Sequence, residues 1–185
     1  MSTEGAGLQD IPDQVAEAEF YISLWSRAQG KLVDAKDKLL DKVRNGGFGD
    51  DCNKTMNALG TSTSELVSRV MYGTVNFVDG LSSSAAWTGL IPGGRLLSFL
   101  SPTIGDVMKT FRVEAFGELG GDKIYLNSIV LIGQSTEHNA ALILHELLHN
   151  VTGKLDTTIQ RELGLEKDSV DTHNITDRIM KDCFK

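Results

Sequence analysis

The sequence predicts an α+β fold, mostly helical, with a small β-sheet packed on one buried helix. Apolar residues recur at three- and four-residue steps from Pro12 to about Asn45, and again from Ala140 to Val151, the period of helices with one buried face. Between these runs, Lys123 to Ile132 is rich in Ile, Val, Leu and Tyr and bounded by Gly120-Gly121 and Gly133, the composition of a strand.

Taken in order, the first helix has Asp10 as a candidate N-cap and Pro12 near its first turn. Trp25, Ala28, Leu32, Ala35, Leu39 and Val43 form one apolar face. Asp13, Glu17 and Glu19 gather at the start and Lys36, Lys38, Lys42 and Arg44 at the end, which complements the helix dipole. Such a helix either packs on its own domain or joins the domain to a partner. Gly46-Gly47-Phe48-Gly49 ends it, so residues 1–45 form a joining or packing element and residues 46–185 the domain proper. Cys52 to Leu59 reads as a short helix stopped by Gly60, and Ser62-Thr63-Ser64-Glu65 has capping-box spacing ahead of Leu66, Val67 and Val70. From Gly73 to Gly121 the pattern weakens to short apolar patches such as Val75 to Val78, and no site is assigned there. The strand Lys123 to Ile132 is either a core strand or the rim of a cleft, where its backbone could pair with an extended peptide. Ser135 or Thr136 caps the helix that follows, with Glu137 in its first turn.

Length and composition suit a globular chain with a sizeable core. A net charge of −7 leaves no basic stripe for a phosphate backbone, so nucleic acid is not an expected partner. The most apolar stretch, Ala86 to Leu100, is broken by Gly89, Pro92, Gly93, Gly94 and Arg95, so no membrane span is expected. Met1 to Asp10 lacks the basic start and apolar core of a secretory signal, although such a signal could lie elsewhere in a longer chain. Cys52 and Cys183 are either a disulfide closing a very long loop or two buried thiols.

The chemistry is concentrated in His145-Glu146-Leu147-Leu148-His149. On a helix, residues four apart share a face, so His145 and His149 can offer two imidazole nitrogens to one zinc ion. Glu146 projects beside that face, where its carboxylate can take a proton from water activated at the metal. With four His and ten Glu in 185 residues, chance gives this pattern in well under ~1 % of shuffled chains. A catalytic zinc takes three protein ligands. Gly153 can end the helix in a left-handed turn and bring Asp156 back to the metal; alternatively Asp156 caps a short helix from Thr157 to Leu163. The last helix, from about Val170 to Cys183, offers a rival set. There His173 could ligate zinc while Asp177, on the same face, orients a ligand imidazole; Asp171 is a weaker candidate. Ile175, Ile179 and Cys183 form its buried side.

His145-Glu146-Leu147-Leu148-His149 resembles the signature of the zincin metallopeptidases. With Asp156 soon after, Leu163-Gly164, a final helix ending in Asp182-Cys183, and Cys52 ahead of Leu59-Gly60, residues from about 50 to 185 are similar to the C-terminal metallopeptidase-like toxin domain of bacterial RHS/YD-repeat proteins. The first 45 or so residues add nothing to this likeness. The sequence departs from the metzincin pattern in having Thr152 in place of Gly and Leu155 in place of a third His or Asp. It resembles the aspartate-ligand zincins in Gly-x-x-Asp at 153 to 156, though at closer spacing, and it lacks the helical glutamate of the gluzincins.

In the expected fold the cleft lies between the sheet edge and the last helices, and the resemblance implies a zincin-like domain, secreted or delivered into a target cell. It implies paired Cys52 and Cys183, and zinc held by His145, His149 and Asp156. The implied activity is peptide-bond hydrolysis with Glu146 as general base. An oxyanion donor is expected from Tyr125, His138, His173 or a loop amide. Partners would be a protein or peptide substrate and a carrier chain or immunity protein. The competing classes are a non-catalytic zinc-containing interaction domain and a zinc hydrolase of a non-protein amide.

Overall fold

The computed structural model describes residues 10–85, 103–165 and 173–185, with side chains for 15–85, 103–165 and 174–185. The Ala86 to Leu100 stretch, Asp171 and the N-terminal segment before Asp10 lie outside these residues, as does the His173 side chain.

Helix α1 spans Asp10–Arg44. Ala28, Leu32, Ala35 and Leu39 are buried, and Trp25 and Val43 pack against the same core. This face meets the helices that carry and precede the candidate site, so the second half of α1 is a packing element. Helix α2, Asp50–Ala58, buries Cys52 and Met56 and ends at Leu59 and Gly60, and α3 is Thr63–Met71. Only half of the expected capping box is present on α3. Ser62 accepts from the Glu65 amide, while the Glu65 carboxylate takes the Thr61 hydroxyl.

Among the described residues, the weakly patterned middle of the chain contributes two strands and a helix. Strand β1 is Asn76–Asp79, α4 is Ile104–Phe111 and β2 is Ala115–Gly117. Each strand is four residues or fewer, too short for alternation to stand out in sequence. Strand β3 is Lys123–Leu126 and pairs parallel with β1 and antiparallel with β2, giving the order β1-β3-β2. Ile124 and Leu126 enter the main core, whereas Tyr125 faces a second cluster with Leu81, Ile104 and Met108.

The expected strand Lys123 to Ile132 is therefore corrected in its length, and of its two expected places the structure gives the core strand. Asn127 accepts hydrogen bonds from the Ile129 and Val130 amides and starts helix α5, Ser128–Gly133, within the apolar run. An unbroken apolar run fits a buried strand or a buried helix equally, and the cap decides. Because β3 is central, both its edges are paired, and it cannot be the rim strand that receives an extended peptide.

Helix α6, Thr136–Thr152, is capped by Ser135 and is buried continuously from Asn139 to Asn150. It is followed by α7, Asp156–Glu162, and α8, His173–Phe184. Ile175, Ile179 and Cys183 form the buried side of α8, as the spacing predicts. Cys52 and Cys183 form a disulfide joining α2 to α8, and the Thr55 hydroxyl donates to Asp182 across the same junction. The fold is thus α+β, mostly helical, with β2 and β3 lying against α6. Among the described residues, no helix is long and apolar enough to cross a membrane.

Candidate metal centre

Helix α6 places His145, Glu146 and His149 in the interior, at 2 %, 4 % and 7 % exposure. Each presents a ligating atom within 4.8 Å of the others, so the group could hold a metal ion. The loop after α6 supplies a fourth polar group. Gly153 adopts φ +65°, a left-handed conformation that costs a side chain-bearing residue roughly 1–2 kcal/mol, and it turns the chain back over the helix. Asp156 then returns to the two histidines. Its Oδ1 lies 2.9 Å from His145 Nε2 and 3.0 Å from His149 Nε2. It opens α7 without capping it, since Leu155 is the N-cap residue and no side chain caps that end.

The far side of each imidazole is also held. His149 Nδ1 donates to the Lys154 carbonyl at 2.6 Å, and His145 Nδ1 lies 3.0 Å from Thr176 Oγ1. The Lys154 carbonyl is kept in place by its own side chain, whose ammonium donates to the Leu59 carbonyl and to Glu162. With its proton on Nδ1, a neutral His149 would turn the Nε2 lone pair toward a carboxylate oxygen. A positive charge is needed between them, supplied by a second imidazole proton or by a metal cation.

The ionisation of the site reflects this. Burial on its own lowers the His149 pKa, but the Asp156 hydrogen bond and the Glu146 and Asp156 charges outweigh it and hold the group at about 9. Burial on its own would raise the Asp156 carboxyl, yet the two imidazoles hold it well below the usual carboxylate range. Glu146 moves the other way, its pKa raised chiefly by burial.

The donor set fits a small divalent cation. Zinc–ligand bonds of about 2.0–2.1 Å in a tetrahedral site separate adjacent donors by about 3.3 Å, so Asp156 and the imidazoles need to part by only a few tenths of an ångström. Two carboxylates also balance a charge of +2. Of the two, Asp156 suits ligation better. It meets both Nε2 atoms, whereas the Glu146 oxygen is 4.0 Å from His145 Nδ1, an atom already engaged by Thr176.

Glu146 is positioned by the sheet. The β2–β3 turn is fastened to α6 by the Gly120 amide donating to the His149 carbonyl and by Asn150 Nδ2 donating to the Glu118 carbonyl. This brings the Gly117 backbone over Glu146, close enough for its amide to favour the charged carboxylate. A Cβ on Gly117 would lie 2.6 Å from the Glu146 carbonyl oxygen and 3.0 Å from its carboxylate, so only glycine allows this approach.

Other expected residues lie elsewhere. Asp177 is exposed on α8 and does not orient an imidazole; the next residue back, Thr176, meets His145 in its place. A helix turns about 100° per residue, so this one-residue difference changes the face presented. His138 is paired with Glu114, two turns of α6 before His145, and Tyr125 packs beside Phe116 in the second cluster. Neither is at the site. His173 opens α8, with its side chain outside the described residues. Gly117, Lys154 and Thr176 were not singled out in the sequence. The signals for two of them are a glycine in a strand and a threonine beside the Ile175–Ile179 stripe. A separate surface cleft of about 550 Å³, lined by Tyr21, Trp25, Leu81 and Lys109 among others, contains none of the four site residues.

Comparison of the chain with protein-family models, with curated proteins and with solved structures found no match.

Proposed function

We propose that the protein is a zinc-dependent metallopeptidase of the HExxH type with a zincin-like fold, acting as a toxin or effector domain of a bacterial secreted or contact-delivered protein. The observation that carries the metal and hydrolase reading is the convergence of His145 Nε2 and His149 Nε2 on one Asp156 oxygen, with Glu146 buried beside them. In this reading His145, His149 and Asp156 hold zinc. Bound there, zinc would polarise a carbonyl and make water more acidic.

The chain's own residues supply the rest. Glu146, buried beside the two histidines with the Gly117 backbone over it, is placed to take a proton and pass it to a leaving amine. Thr176 and Lys154 fix the two rings, and Asp156, whose side chain is one-third exposed, connects the buried group to solvent. The edge strand β2 is better placed than β3 to receive an extended substrate, since its Gly117 already lies on Glu146. The disulfide is compatible with an oxidising destination, which supports the secreted or delivered reading.

Hydrolysis of a peptide library by zinc-loaded protein tests the proposal. Glu146→Gln should retain zinc and lose at least about 10²-fold in turnover. Undiminished turnover by that variant would remove Glu146 from the mechanism, and hydrolysis of only non-protein amides would move the substrate class. A second reading, a non-catalytic zinc-containing interaction domain, is favoured by the near-complete burial of His145, Glu146 and His149. A closed metal site with four protein ligands would select it.

A further inference from the structure

We infer that Thr176 is a positioning residue that fixes the ring orientation and tautomer of His145, so that its Nε2 is directed at the metal; this rests on the metal reading above. Thr176 is 1 % exposed and its Oγ1 is 3.0 Å from His145 Nδ1. A hydroxyl can donate or accept. For Nε2 to offer its lone pair to a cation, the ring proton must sit on Nδ1, and the Thr176 oxygen is placed to accept it. His149 is fixed in the same sense by the Lys154 carbonyl, an acceptor that cannot reverse its role. The two rings thereby present Nε2 to one point from opposite supports, one on the loop after α6 and one on α8.

The fold holds that second support firmly. Thr176 lies between the buried Ile175 and Ile179, and Cys183 stands seven residues on, on the same face two turns later. The disulfide to Cys52 and the Thr55–Asp182 hydrogen bond fasten that end of α8 to α2. Rotation or sliding of α8 past α6 is resisted at the end of the helix, and the hydroxyl stays opposite the imidazole. A hydroxyl suits this place better than the carboxylate commonly found behind a ligand histidine, because Glu146 and Asp156 already bring two negative charges into a buried site.

The test uses full-length protein and compares wild type, Thr176→Val and Thr176→Ser. Valine keeps the shape and removes the acceptor, whereas serine keeps the acceptor and removes the methyl. Zinc affinity is measured by competition with a chromophoric chelator, the cobalt-substituted proteins are compared by visible absorption, and the His145 ring nitrogens are read by ¹⁵N NMR in the zinc form. Circular dichroism establishes that each variant is folded. We expect Thr176→Val to lose about 10- to 100-fold in zinc affinity, with an altered cobalt spectrum and altered His145 nitrogen shifts. Thr176→Ser should stay close to wild type in all three. Equal zinc affinity and spectra in wild type and Thr176→Val would overturn the inference while leaving the metal site standing. Equal weakening by valine and serine would also overturn it, since the loss would then be one of packing. Failure of the wild type to take up zinc would overturn the metal reading, and this inference with it.

Discussion

Removing the Cys52–Cys183 bond should be the most destabilising change that leaves every ordinary side-chain contact of the site in place. The two cysteines are 131 residues apart, so the bond closes almost the whole chain from α2 to α8 into one loop. In the chain-entropy treatment, a loop of this size restricts the unfolded chain by about 17 cal/mol/K, or about 5 kcal/mol at 25 °C. Native bridges typically deliver 2–5 kcal/mol, and a domain of this size has about 5–15 kcal/mol in all. We therefore expect the Cys52→Ala, Cys183→Ala double variant to lose about 3–5 kcal/mol. Both sulfurs are buried, so up to about 1 kcal/mol of that loss belongs to packing. Wild type treated with a reducing agent controls for it. Urea unfolding followed by circular dichroism gives the number from the midpoint and slope. A loss below about 1 kcal/mol in both the double variant and the reduced wild type would refute the reasoning, because the bond would then restrict the unfolded chain far less than its loop length implies.

Three further outcomes are expected. Gly117→Ala should fold and bind zinc but hydrolyse peptide poorly, because its Cβ displaces Glu146; wild-type turnover would show that the strand can retreat. Gly153→Ala should cost roughly 1–2 kcal/mol in urea unfolding, from the left-handed backbone alone, since its Cβ would meet no neighbour. Asp182 gives a pH dependence away from the metal. Burial raises its carboxyl, but the Thr55 hydroxyl and the Arg178 guanidinium outweigh that and hold it below the ordinary value of about 3.9. Its stabilisation is therefore present above about pH 4 and is lost as pH falls through the depressed pKa. The stability difference between wild type and Asp182→Asn should shrink between pH 7 and pH 3, and a difference that grows in acid would contradict the sign.

Much of this arrangement could be read in the sequence where one local rule dominates. The α1 stripe, the α6 motif and the Gly153 turn each declare themselves by spacing, and together they bring Asp156 to the two histidines. Where local rules tie, the sequence was ambiguous. Lys123 to Ile132 contains both a strand and a helix, and only the Asn127 cap separates them. Strands β1 and β2 are too short to carry a period, and their place is set by pairing with β3. Thr176 and Gly117 depend on contacts between distant segments. Asp177 was the more suggestive choice because carboxylates commonly support ligand imidazoles, but the buried face of α8 is set by Ile175 and Ile179, and Asp177 lies off it.

Zinc content per folded chain, measured by elemental analysis after metal is supplied and excess removed, tests the proposed centre most directly. We expect about one zinc in wild type and in Glu146→Gln, and loss of that zinc in Asp156→Ala. Zinc retained in full by Asp156→Ala would move the third ligand elsewhere, with His173 the first alternative. No zinc in wild type would contradict the metal centre itself and leave the His–Asp cluster as buried ion pairs.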